Sequence, residues 1–188
     1  DVKPANVMVG RFGEVYLMDW GLAKLRGDDD APSKRPAAGG TEVITTHRSE
    51  RLRQGKDAAL TMDDQVVGTL GYLAPEQLVG APVDDRTDIY AVGAMLYELL
   101  AGHPPYCEPD AAGDFGRMLT RMMKDAPTPL ATRAPGAPAE LVAIAEKALA
   151  RDPDRRFATA HELGEELHAY LEGRVVRSHR TGFWVELR

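Results

Sequence analysis

Asp1-Val2-Lys3-Pro4-Ala5-Asn6, followed after a short interval by Asp19-Trp20-Gly21, is the stretch that decides the reading of this chain. It brings together a carboxylate, an ammonium, an amide and a second carboxylate. Phosphoryl transfer asks for such an inventory, because its chemistry needs positioning and charge neutralisation more than covalent work. Magnesium takes hard oxygen ligands and keeps part of its hydration, so Asn6 and Asp19 offer the oxygens a metal-bound nucleotide needs. A hydroxyl is a poor nucleophile, and Asp1 is the candidate to orient one and receive its proton.

Working outward, Val7-Met8-Val9 and residues 14–18 are short strand-like runs separated by Gly10-Arg11-Phe12-Gly13, whose glycines supply turn conformations. A small hairpin follows, with Asn6 at its entrance and Asp19 at its exit. Residues 22–67 lose all periodicity and read as one long loop, in which Asp28-Asp29-Asp30 is a solvated turn. Beyond Pro75 the pattern is helical. Asp84, Asp85 and Thr87 are start signals for an apolar helix over 88–101, which Gly102 and Pro104 close. Further helices are expected over 115–124, over 138–150 with Pro138 in the first turn, and over 159–172, where Thr159 and Glu162 are spaced as a capping box. The fold class is mainly α (α+β), with the β structure confined to the hairpin.

Composition narrows the function. The 188 residues, 44% hydrophobic and 28% charged, suit one soluble domain, and a net charge of -6 disfavours a nucleic-acid partner. Cys107 is the single cysteine, which disfavours disulfides and thiolate zinc sites and points to a reducing, cytoplasmic setting. The most apolar stretch, 89–102, is too short to span a bilayer and carries Glu98. The first residue is Asp and no signal region follows, so a cut within a longer protein is expected. After Gly173 the sequence turns basic, and 174–188 reads as a linker toward another module, with a juxtamembrane strip of a membrane-anchored parent as the alternative.

More marks follow the opening ones in order: Gly68-Thr69, Ala74-Pro75-Glu76, Asp88, and Arg156 after Asp152-Pro153-Asp154. Together, over 1–173, they resemble the large C-terminal lobe of the eukaryotic-like (Hanks-type) serine/threonine protein kinases of bacteria. The resemblance implies that Asp1 accepts the substrate hydroxyl proton, that Lys3 steadies the transferring phosphate, and that Asn6 and Asp19 hold Mg2+, with Mn2+ as an alternative. A lysine two residues after the aspartate is the serine/threonine form of the loop, so ATP would phosphorylate Ser or Thr on a protein substrate. Thr69 would contact the catalytic pair, and the loop containing Gly68 and Tyr72 would receive the substrate residue after the acceptor. Glu76 and Arg156 would form a buried ion pair, and Asp88 would anchor the catalytic-loop backbone, although it also reads as a helix N-cap. Among the loop hydroxyls Thr41, Thr45, Thr46, Ser49 and Thr61, the last is favoured as a phosphorylation site.

This chain departs from the family pattern in two respects. Trp20 replaces the usual Phe, which predicts a buried ring whose indole N–H needs a partner. The residues of the smaller N-terminal lobe, and the His and Arg that precede the aspartate, are not in this sequence, so these 188 residues alone are expected to lack turnover. The alternative reading is an inactive kinase-like scaffold. Met118, Met122 and Met123 read as core filler, and no chemistry is assigned to the histidines or to Cys107. No feature of the sequence points to an oligomeric state.

Overall fold

The computed structural model describes residues 2–20, 70–107 and 115–179. Asp1, the 22–67 loop with its hydroxyls and Thr61, Gly68, Thr69 and the 180–188 end lie outside the described residues. Among the described residues no helix is long and apolar enough to cross a membrane.

The chain begins with a 3-10 turn, Pro4–Asn6, leading into strand β1, Val7–Val9. Strand β2, Val15–Leu17, returns antiparallel with Val7 opposite Leu17 and Val9 opposite Val15. Gly13 supplies the left-handed turn residue, with φ 88°. The ladder continues past the strands, since the Met18 N–H donates to the Asn6 carbonyl at 2.8 Å. The hairpin thus forms as expected, and it sets Asn6 beside the start of the 18–20 exit.

Six helices follow among the described residues: α1 Pro75–Val79, α2 Asp85–Ala101, α3 Phe115–Lys124, α4 Leu130–Arg133, α5 Ala139–Ala148 and α6 Ala160–Leu171. Helix α2 starts before the expected position 88 because the Asp84 side chain caps it, accepting the Arg86 N–H at 2.9 Å. Gly102, left-handed at φ 81°, ends it. Asp88 therefore lies inside the first turn, and its reading as the N-cap is corrected. Pro138 is the N-cap of α5 rather than part of its first turn. Half of the capping box at α6 is as expected, with Thr159 accepting the Glu162 N–H; the Glu162 carboxylate reaches one residue further back, to the Ala158 N–H at 3.0 Å.

The core is built around α2. Tyr90, Ala94 and Tyr97 pack with Ala74, Leu130, Ala145 and Leu149, and Ile89 packs in a second cluster with Ile144, Ala148, Phe157, Leu163, Ala169 and Val176. Burying side chains such as Ile89 and Ile144 contributes about 1.5–3 kcal/mol each. Gly93 lets α2 and α5 approach closely: a Cβ there would stand 2.7 Å from the Ala148 Cβ. A third cluster, Leu70, Tyr106, Met118 and Met122, seats α3. Met118 and Met122 are core, as expected, whereas Met123 is half exposed.

Packing continues past Gly173. Val176 is buried, and the N–H groups of Arg174, Arg177 and Ser178 bond back onto α6. Their basic composition suggested a linker, but their backbone and one apolar side chain do the packing.

Candidate active site

The hairpin organises the first half of the site. Lys3 is extended, Pro4 starts the 3-10 turn, and the Asn6 N–H closes on the Lys3 carbonyl at 2.9 Å. Pro4 fits there because its fixed φ suits a first helical position and no N–H is needed. Asn6 is buried and Lys3 half-buried. Asp19 is exposed and left-handed, φ 59°, a conformation that Asp tolerates better than most residues with a side chain. Trp20 is exposed rather than buried: its indole N–H donates locally to the Leu17 carbonyl at 2.8 Å. That bond closes the turn around Asp19. The hairpin thus brings Asn6 and Asp19 to one end of the ribbon.

The second half is a buried anchor at the start of α1. Helix α1 opens with Gln77 accepting the Ala74 N–H at 2.9 Å, and it carries Glu76 on its first turn. Arg156 leaves the 3-10 turn Pro153–Arg155, which Asp152 caps through the Asp154 N–H. The two side chains meet as a fork: Nη1 donates to Glu76 Oε1 at 2.7 Å and Nη2 to Oε2 at 2.8 Å. Nη1 also donates to the Arg86 carbonyl, Nη2 to that of Arg151, and Nε to that of Ala150. All five guanidinium N–H groups are therefore used. The Tyr90 ring lies 4.9 Å from the guanidinium carbon, adding a cation–π contact.

Glu76 is equally well satisfied. Thr87 Oγ1 donates to its Oε1 at 2.9 Å. Burial alone would raise the Glu76 carboxyl pKa, but the Arg156 bonds, its own backbone N–H and Thr87 outweigh burial and hold it below the usual carboxylate range. Sequence reasoning took Thr87 only as a helix start signal. Its working contact lies 11 positions away in sequence, which no local pattern reveals.

Tyr72 lies just ahead of α1. Its hydroxyl donates to Glu98 Oε2 on α2 at 2.6 Å, and burial together with that carboxylate pushes the phenol well above its ordinary pKa. Glu98 had been noted only as a charge interrupting an apolar run, so this partner was missed. Cys107 lies nearby, its Sγ 3.5 Å from where a Gly71 Cβ would be. Burial, with Glu98 adding to it, pushes its thiol up and keeps it inert. Asp88 lies in the first turn of α2.

The hairpin carries Asn6 and Asp19 at one end and the helical body carries the buried pair of Glu76 and Arg156, and the comparison with known families gives the class. The protein kinase domain model matches residues 1–168, and the chain belongs to that family. Among curated proteins it is similar to the serine/threonine-protein kinase PknD of Protochlamydia amoebophila, 35% identical over 93% of this chain and 16% of that protein. It is also similar to the probable serine/threonine-protein kinase PknB of Bifidobacterium longum, 33% identical over 93% of this chain and 21% of that protein. PknB of Mycolicibacterium smegmatis is 32% identical over 93% of this chain and 23% of its own length. The chain thus spans less than a quarter of the length of these relatives.

Proposed function

We propose that the protein containing this chain transfers the γ-phosphoryl group of ATP to Ser or Thr hydroxyls of protein substrates in the cytoplasm, with this lobe supplying the catalytic loop, the metal ligands and the substrate platform. The observation that carries the reading is the convergence of Asn6 and Asp19 at one end of the hairpin, fixed by the bond from Met18 N–H to the Asn6 carbonyl. These residues fit the group they would hold: one amide oxygen and one carboxylate are hard ligands that leave room for phosphate oxygens and water. Bound there, Mg2+ would neutralise charge on the β- and γ-phosphates.

The rest falls to the chain itself. Asp1 orients the acceptor hydroxyl and takes its proton as the hydroxyl oxygen bonds to the γ-phosphorus and the bridging P–O bond to the β-phosphate breaks, releasing ADP. Lys3 balances charge on the transferred group. Tyr72, held by Glu98, shapes the platform on which the substrate backbone rests, and Gly68 and Thr69 precede it in sequence. The clamp between Glu76 and Arg156 holds the end of that loop to the helical body.

The test is phosphate incorporation into a Ser/Thr protein by full-length protein with ATP and Mg2+, in wild type and in Asp1→Ala and Asp19→Ala. Each variant should lose about a hundredfold or more in turnover at unchanged melting temperature. Unaffected turnover in folded variants, or a wild type that binds no nucleotide, sinks the reading; the second outcome favours the scaffold alternative.

A further inference from the structure

Helix α6 ends in a left-handed Gly173, φ 67°, with the Gly173 N–H bonded to the Tyr170 carbonyl at 3.0 Å and the Arg174 N–H to that of Ala169 at 2.8 Å. This paired closure satisfies the helix-end carbonyls and reverses the chain. The residues that follow are held by Glu166, from inside α6. Its Oε1 accepts the Arg177 N–H at 3.3 Å and its Oε2 the Ser178 N–H at 2.7 Å. A further turn closes with the His179 N–H on the Val176 carbonyl at 3.1 Å. Val176, between the helix end and the clasp, is 2% exposed in the cluster that contains Ile144, Phe157 and Leu163.

Glu166 and the strap depend on each other. Glu166 is buried as a residue, and a carboxylate withdrawn from water is kept ionised at low cost by hydrogen bonds. Burial alone would raise its pKa; the Ser178 and Arg177 N–H groups, with Lys147 nearby, pull it below the usual range instead. The Lys147 ammonium stands 4.1 Å from the Phe157 ring centroid, so the same cation serves both. Phe157 is also the sequence neighbour of Arg156, which grips Glu76 on α1.

We propose that residues 174–179 are a docked strap of the helical body, clasped by Glu166, and that its docking steadies the turn carrying Arg156, coupling the outgoing chain to the Glu76 anchor. The coupling path is short and physically continuous: Val176 shares a cluster with Phe157, and the next residue back holds Glu76. The proposal goes beyond the phosphotransfer reading and does not depend on it.

Hydrogen exchange on the full-length protein tests it without an activity measurement. In the wild type, the 174–179 amides should exchange far more slowly than a free peptide. Glu166→Gln offers one acceptor where there were two, and Val176→Ala withdraws packing. Each should speed exchange in 174–179 by about tenfold to a hundredfold, raise it in 75–79 as well, and leave the 7–17 hairpin unchanged. Glu166→Gln keeps core volume, so it decides the matter if Val176→Ala does not fold. Free-peptide exchange of 174–179 in the wild type overturns the docking, and a released strap with 75–79 unchanged overturns the coupling.

Discussion

Arg156 is the residue whose loss should be felt most. Its side chain is 0% exposed and each of its N–H groups has an acceptor. Arg156→Ala leaves the Glu76 carboxylate buried with only Thr87 and backbone support, and it removes a donor from the carbonyls of Arg86, Ala150 and Arg151. Breaking a buried pair in this way costs about 3–5 kcal/mol. Against a total stability on the order of 5–15 kcal/mol, that loss brings the fold close to its limit. Arg156→Lys separates charge from geometry. An ammonium has three donors, so at least two of the contacts go, and a loss of about 2 kcal/mol or more is expected even though the charge is kept. Equilibrium urea denaturation of the full-length protein gives both numbers.

The pH dependence supplies an independent check on Arg156→Ala. The folded Glu76 pKa lies below its ordinary 4.5, so its contribution to stability is present above that value and is lost as pH falls through the folded pKa. In Arg156→Ala the main opposing influence is gone and burial raises the Glu76 pKa, so acid relieves the variant while it weakens the wild type. The stability gap between them should therefore narrow from pH 7 to about pH 4. A Lys variant within about 0.5 kcal/mol of wild type, or a gap constant with pH, would refute the saturated-clamp argument.

Two glycines make opposite predictions. Gly93→Ala gains about 1 kcal/mol of helix propensity but sets a Cβ 2.7 Å from the Ala148 Cβ and 3.2 Å from its carbonyl carbon, so overpacking of about 1–3 kcal/mol should win and lower the melting temperature. Gly164→Ala meets nothing within 4 Å on α6 and should stabilise by up to about 1 kcal/mol; a shared sign in thermal melts contradicts the packing argument. Tyr72→Phe leaves Glu98 without its donor and should destabilise by about 1–2 kcal/mol while raising KM for the protein substrate more than for ATP. Glu98→Gln keeps an acceptor and should restore most of that KM, and an unchanged KM in Tyr72→Phe removes Tyr72 from the platform.

What the sequence disclosed, and what it hid, divides by the distance between partners. Gly10 and Gly13 bracket a turn that any reading of local conformational preference finds, and Gly102, Asp84 and Thr159 mark helix ends through their own backbone or side chain. Thr87 and Glu76, Tyr72 and Glu98, and Glu76 and Arg156 are separated along the chain, and only the family resemblance pointed to the last of these pairs. Trp20 shows the converse error. Ring size argued for burial, yet the local bond to Leu17 satisfied the indole and left the ring exposed. The strap failed for a third reason. Composition counts Arg174, Arg177 and His179 as solvated charge, but the groups that dock are the N–H groups of Arg177 and Ser178 and the side chain of Val176, and backbone N–H groups are the same in every residue except proline. The buried acceptor that selects them, Glu166, is the only part a sequence could display. A lone glutamate on a helix reads as surface until the chain folds back over it.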